Sequence, residues 1–187
     1  MLRTLGTAWL ALLAAPLAAQ EQPDSAQMAR VMELARPGPE HRRLVALAGD
    51  WEVTFDAMGT SFTATAENRL IMGGRFLAST VTGTAMGMPM EALTILGFDR
   101  GPGVYTAVGF DTFGTFYVTG AGPWIETEQR AVLAGSYDDP VTGHAHDYEF
   151  IWTVHGPDRF TWDIVFLDGA KRQTVMEGEY RRTSRPR

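Results

Sequence analysis

From Trp51 onward the apolar residues recur at every second position. Trp51, Val53 and Phe55 share one face of an extended segment while Glu52, Thr54 and Asp56 share the other. The same alternation carries Tyr148, Phe150, Trp152 and Val154 against Asp147, Glu149 and Thr153, and it returns in Phe160, Trp162, Ile164 and Phe166. A period of two places successive side chains on opposite faces of a strand, so each apolar row predicts a buried face. Segments of this kind are bounded by glycine, proline or aspartate throughout, for example Met72-Gly73-Gly74, Asp99-Arg100-Gly101-Pro102-Gly103, His155-Gly156-Pro157-Asp158 and Asp168-Gly169-Ala170. The pattern predicts ten strands: 51–57, 62–71, 75–84, 90–99, 104–111, 115–120, 125–136, 144–154, 160–167 and 171–181. Short connections between consecutive strands favour an antiparallel up-and-down barrel, with the aromatic rows inside.

Before Gly49 the period is helical. Met28, Val31, Met32 and Ala35 have the spacing of a short helix over 26–35, and Leu44, Leu47 and Ala48 that of a second over 40–48. Gly49 would end the second helix in a left-handed conformation, and the helix would cap one end of the barrel. The first residues combine Arg3, an apolar run from Ala8 to Leu17 and a small-residue end at Ala18-Ala19. That is the form of a cleaved secretory signal, and the run is too short to span a bilayer. The expected organisation is a signal at 1–19, a leader with a short helix at 20–38 and a β-barrel domain at 39–187. The expected location is periplasmic or extracellular.

Composition narrows the partners. The chain of 187 residues has no cysteine, so thiol catalysis, disulfides and lipid attachment at cysteine are excluded, and stability must come from the core. Its 22 acidic and 16 basic residues give a net charge of −6, the wrong sign for nucleic acid or an anionic membrane.

Candidate chemistry is sparse. There is no Gly-x-Ser-x-Gly elbow, no His-Glu-x-x-His, no phosphate loop and no dinucleotide fingerprint. No catalytic residue, metal site or cofactor is assigned. Asp111, Asp147 and Asp163 could each serve as a base if buried, and nothing singles one out. Arg75 follows the Gly73-Gly74 turn and could reach inward to an anionic group; the surface alternative pairs it with Asp111 or Glu67. His144 and His146 share a strand face with Tyr148 and Trp152, and an inward His146 could ligate haem iron, but two imidazoles without a third ligand make no metal site. Met86, Met88 and Met90 alternate through a Gly/Pro turn, where thioethers serve either cuprous copper or, the preferred reading, apolar cover of a barrel mouth. Trp51 is expected to pack across the closed end under Arg181 or Arg182, as core and not as a ligand anchor.

Several strings together resemble an uncharacterised bacterial domain family. They are Gly38-Pro39-Glu40-His41 with Leu44, Leu47-Ala48-Gly49 and Trp51; Asn68-Arg69 with Gly73-Gly74-Arg75-Phe76-Leu77; Leu96-Gly97-Phe98-Asp99; Asp111 with Gly114-Thr115; and Tyr137-Asp138-Asp139-Pro140 with Thr142-Gly143. The family is a domain of unknown function whose members look like relatives of the calycin, or lipocalin-like, barrels, which also begin on a Gly-x-Trp strand. The resemblance spans Gly38 to Tyr180 and implies the barrel and export; structural roles are expected for Gly49, Trp51, Gly73, Gly74, Asp111 and Gly114. It implies no catalytic residue, and Gly120 to Gln129 departs from regular alternation. The leading expectation is a non-enzymatic barrel that binds a small apolar or amphipathic molecule, with Trp152 and Trp162 in the lining and Arg75, Tyr117 and His146 orienting the ligand. The alternatives are an enzyme or haem protein using the same cavity, and a solid barrel that works as a structural or partner-binding domain.

Overall fold

The computed structural model describes residues 24–57, 59–139 and 141–184. The expected signal sequence lies outside the described residues. Helix α1 (Ser25–Leu34) starts on a reciprocal cap: the Gln27 amide N–H donates to Asp24 Oδ1 at 2.7 Å and the Asp24 N–H to Gln27 Oε1 at 3.1 Å. A second compact unit begins at Leu34.

In that unit α2 (His41–Leu47) is followed by β1 (Gly49–Ala57), β2 (Thr60–Ile71), β3 (Phe76–Ala85), β4 (Met88–Asp99), β5 (Val104–Asp111) and β6 (Val118–Gly122). The second half comprises β7 (Trp124–Ile125), a 3-10 turn (Glu126–Glu128), β8 (Arg130–Asp138), β9 (Ala145–Gly156), β10 (Arg159–Asp168) and β11 (Lys171–Ser184). All pairings are antiparallel and nearly all join neighbours in sequence. β1 also pairs with β11, and β6 meets β8 at Ala121 and Ala134, which closes the barrel around ten strands. The two-residue β7 is an appendage on β8.

Three expectations change. The strand expected over 125–136 is interrupted: Gln129 turns left-handed at φ 49°, and pairing with β9 starts only at Arg130. The strand expected from Thr115 begins instead at Val118 and runs to Gly122. Gly49 has the expected positive φ, but as a strand residue rather than as the cap of α2. Ala48 leaves α2 in an extended conformation, and Gly49, at φ 129°, is already paired with Asn68 as the first residue of β1.

Closure brings backbones close at the β6–β8 seam. A side chain at Gly122 would overlap the Val132 carbonyl oxygen, and one at Gly135 the Thr119 carbonyl oxygen. The Tyr148 hydroxyl completes the seam: it donates to Thr119 O at 2.7 Å and accepts the Thr119 N–H at 3.0 Å.

One end is sealed. α2 buries His41, Leu44 and Leu47, and below them Trp51, Trp152, Tyr105 and Phe160 fill the interior. Each fully buried aliphatic or aromatic side chain contributes about 1.5–3 kcal/mol. The Leu47 carbonyl accepts two buried donors, Trp51 Nε1 and Asn68 Nδ2, both at 3.0 Å. Arg182 lies over the Trp51 ring, its guanidinium carbon 4.0 Å from the centroid. Its nitrogens donate to the carbonyls of Ala46 and Ala48 at 2.6 Å each and of Pro157 at 2.8 Å. One side chain thus joins α2, the β9–β10 turn and the first and last strands. On the same end Arg43 lies 4.5 Å over the Trp124 ring and donates to the Tyr105 hydroxyl and Glu126.

Candidate functional site

The other half of the interior is a cavity of about 510 Å³. Aromatic residues of the inward rows form much of its wall, namely Phe55 on β1, Phe62 on β2, Phe150 on β9, and Trp162 on β10. Phe55 stacks on Phe62 and Phe150 on Trp162, so these rings are fixed against one another. The space exists because the facing strands carry small residues: Ala85 on β3, Ala92 on β4 and Gly109 on β5. Large side chains on one side and small ones on the other leave volume that a barrel with large residues on every strand would fill.

Polar groups are few. Thr60 and Asp111 contribute to the lining near strand ends, Thr94 and Tyr180 from within strands. Asp111 accepts the Phe113 N–H at 2.8 Å, which shapes the turn after β5. Burial pushes the Tyr180 hydroxyl well above the ordinary phenol range, so it stays neutral and able to donate. Met86 and Met90 line the cavity from the β3–β4 hairpin. Met86 is largely exposed, with a left-handed backbone at φ 53°.

The residues expected to bind ligand are distributed differently. Trp162 lines the cavity. Trp152, its cross-strand partner on β9, is completely buried toward the sealed end and does not line it. Arg75 does not reach the interior, nor does it pair with Asp111 or Glu67. Its guanidinium donates to the carbonyls of Ala35 at 2.9 Å and Met72 at 3.1 Å, pinning the chain before α2 to the β2–β3 turn. The partner of Glu67 is Arg69, which also holds Asp50. Tyr117 is exposed beside Phe110, outside the cavity. His146 is on the inward row of β9 but beyond the cavity wall. It is stacked between Tyr137 and Phe166 with Asp139 4.0 Å away, and its side chain is 40% exposed. Among the described residues no cluster of three or more His, Asp or Glu side chains could hold a metal. Gly73 and Gly74, at φ 66° and 81°, make the β2–β3 turn, and Gly114 leaves room for the Phe116 ring.

Asp163 is on the outer face, directly opposite Glu177, which in turn is opposite Asp56. Partial burial and the adjacent Glu177 carboxylate raise its pKa to about 6. It faces away from the cavity and cannot act on anything held there. Residues missed as lining include Phe62, Val118, Met176 and Tyr180. Alternation around Phe62, Ala64 and Ala66 carried the signal for the first, whereas β11 is too polar for its inward row to stand out.

Fold and site together define an antiparallel up-and-down barrel, sealed at one end by a helix and holding an apolar cavity in the other. The chain belongs to the family described as "Protein of unknown function (DUF1579)", whose model matches residues 36–182. No curated protein matches it. Solved structures similar to it include a redesigned beta barrel, 18% identical, covering 76% of this chain and 96% of that chain at a TM-score of 0.41. Another is a de novo designed fluorescence-activating beta barrel, 17% identical over 74% and 94% of the two chains, TM-score 0.43. A third, EF1p2_mFAP2b bound to DFHBI, is 15% identical over 76% and 98%, TM-score 0.43.

Proposed function

We propose that this protein binds a small apolar or amphipathic molecule inside the barrel, as an exported carrier or sequestering protein. The supporting observation is the cavity. Its volume of about 510 Å³ falls in the range of about 300–1,000 Å³ usual for small-molecule sites. Its walls are mainly aromatic and aliphatic, and transfer of apolar surface into such walls supplies the affinity. The few polar groups would select orientation. Export rests on the sequence of Met1 to Ala19, and the working unit is the barrel from 39 onward, preceded by the leader at 20–38. A solid-barrel partner domain has no need of such a cavity.

The test uses the chain from Gln20 onward and the neutral fluorescent probe N-phenyl-1-naphthylamine. Wild type is expected to bind it saturably with a blue-shifted emission. Ala92→Phe, which places a ring in the cavity, is expected to weaken binding at least about tenfold with an unchanged circular dichroism spectrum. Absence of saturable binding, or equal binding by a folded Ala92→Phe variant, would overturn the proposal. Native mass spectrometry of gently purified protein would give the mass of any retained ligand.

A further inference from the structure

The inner face of the barrel has one polar tier. Asn68 on β2 is directly opposite Ser79 on β3, and Ser79 is directly opposite Thr94 on β4. The three side chains belong to inward rows whose adjacent members are apolar: Ala64 and Ala66, Leu77 and Val81, Ala92 and Leu96. The tier is deep, with Asn68 1% and Ser79 8% exposed. Across from it are Trp152, Trp162 and Tyr180, and these six side chains line a chamber of about 20 Å³. A single oxygen-sized group needs about 10–15 Å³, so the chamber has room for one.

Two of its lining residues carry buried polar atoms without a partner. Asn68 Nδ2 donates to the Leu47 carbonyl, which fixes the amide and leaves Oδ1 buried with no protein partner among the described residues. Trp152 Nε1 is likewise buried without an acceptor, in a residue of 0% exposure. Orphaned groups of this kind are costly and seldom retained without a counterpart. One is an acceptor and the other a donor. A hydroxyl satisfies both, donating to Asn68 Oδ1 and accepting from Trp152 Nε1–H. A carboxylate offers no proton to Asn68, and no side chain lining the chamber carries a positive charge to pair with it. An ammonium offers no lone pair to Trp152.

Thr94, Trp162 and Tyr180 line both the chamber and the large cavity. We infer that the chamber is the head-group subsite of the cavity, and that the ligand is a neutral amphiphile with a hydroxyl at one end, seated head-first beside Asn68 and Trp152 with its apolar body in the upper cavity. This rests on the binding function proposed above and names its ligand class.

The test measures displacement of bound N-phenyl-1-naphthylamine by three chain-matched competitors: decan-1-ol, its methyl ether and decanoate. For wild type the alcohol is expected to compete about tenfold better than either of the others. In Asn68→Leu and Trp152→Phe the advantage of the alcohol over the ether is expected to disappear, while the probe still binds. If either variant fails to fold, the wild-type ranking decides alone. Equal competition by alcohol and ether would assign the chamber to a trapped water and overturn this inference, leaving the cavity as a binding site. Better competition by decanoate would overturn the neutral head group. Failure of the probe itself to bind would overturn both proposals.

Discussion

Replacing Arg182 by methionine keeps an apolar stem over Trp51 and deletes the guanidinium. Three donations are lost, to the carbonyls of Ala46, Ala48 and Pro157, together with an ion pair to the exposed Asp158 that adds little. Although the Arg182 side chain is only 7% exposed, two of the three hydrogen bonds are close to solvent, so each is counted at the low end, about 0.7 kcal/mol. The cation held 4.0 Å from the Trp51 centroid adds about 1 kcal/mol. The expected loss is therefore about 3 kcal/mol, a large fraction of the about 5–15 kcal/mol typical of a domain. Arg182→Lys keeps the charge but not the planar fork that reaches several carbonyls at once, and should lose about 2 kcal/mol. Arg181→Met is the control, because that side chain is 69% exposed and paired only with Glu179 on the surface; its effect should stay within about 0.5 kcal/mol. The assay is urea unfolding followed by tryptophan fluorescence, comparing midpoints at constant m. A loss below about 1 kcal/mol for Arg182→Met, or equal losses at 181 and 182, would refute the assignment of Arg182 as the clasp of the sealed end.

Gly122→Ala should destabilise the barrel by about 3 kcal/mol or more, because its side chain would overlap the Val132 carbonyl oxygen at the closing seam. A thermal melt within a few degrees of wild type would show that the seam can open without consequence. The raised pKa of Asp163 makes a signed pH prediction. Its folded value, about 6, exceeds the ordinary 3.8, so the ionised form opposes folding, and this contribution to stability is recovered as pH falls from 7 towards 4. Asp163→Asn should therefore stabilise the protein by about 1 kcal/mol at pH 8, after discounting for solvent screening, and by almost nothing at pH 4. Equal effects at both pH values in denaturant titrations would contradict this.

Alternation makes the strands of one-sided burial readable in the amino-acid order itself. Trp51, Val53 and Phe55, and Tyr148, Phe150 and Trp152, are inward as their period of two requires. The interruption at 126–129 is hidden because a 3-10 turn and a left-handed Gln129 leave no mark on hydrophobic periodicity. Arginines are the least readable residues. Arg182 over Trp51 was legible as one of two candidates, yet nothing near Arg75 or Arg69 in sequence shows that the first holds backbone carbonyls and the second pairs with carboxylates. Their partners are set by chain segments far away in sequence.

Period-two patterning is a local property, and it determined the buried face of the clearly alternating strands, such as β1, β9 and β10, and that large aromatic rings are inside, while closure needed the pairing of β1 with β11 and of β6 with β8. Depth along the barrel axis is not local. It depends on register between strands such as β1 and β11, where Trp51 meets Arg182, and β2 to β4, where Asn68, Ser79 and Thr94 come abreast. The tertiary arrangement alone therefore decided that Trp152 belongs to the sealed floor, Trp162 to the cavity wall and His146 to the rim. It also gathered three separate polar residues into one tier, because residues on the same inward face become neighbours only when their strands are aligned at the same height.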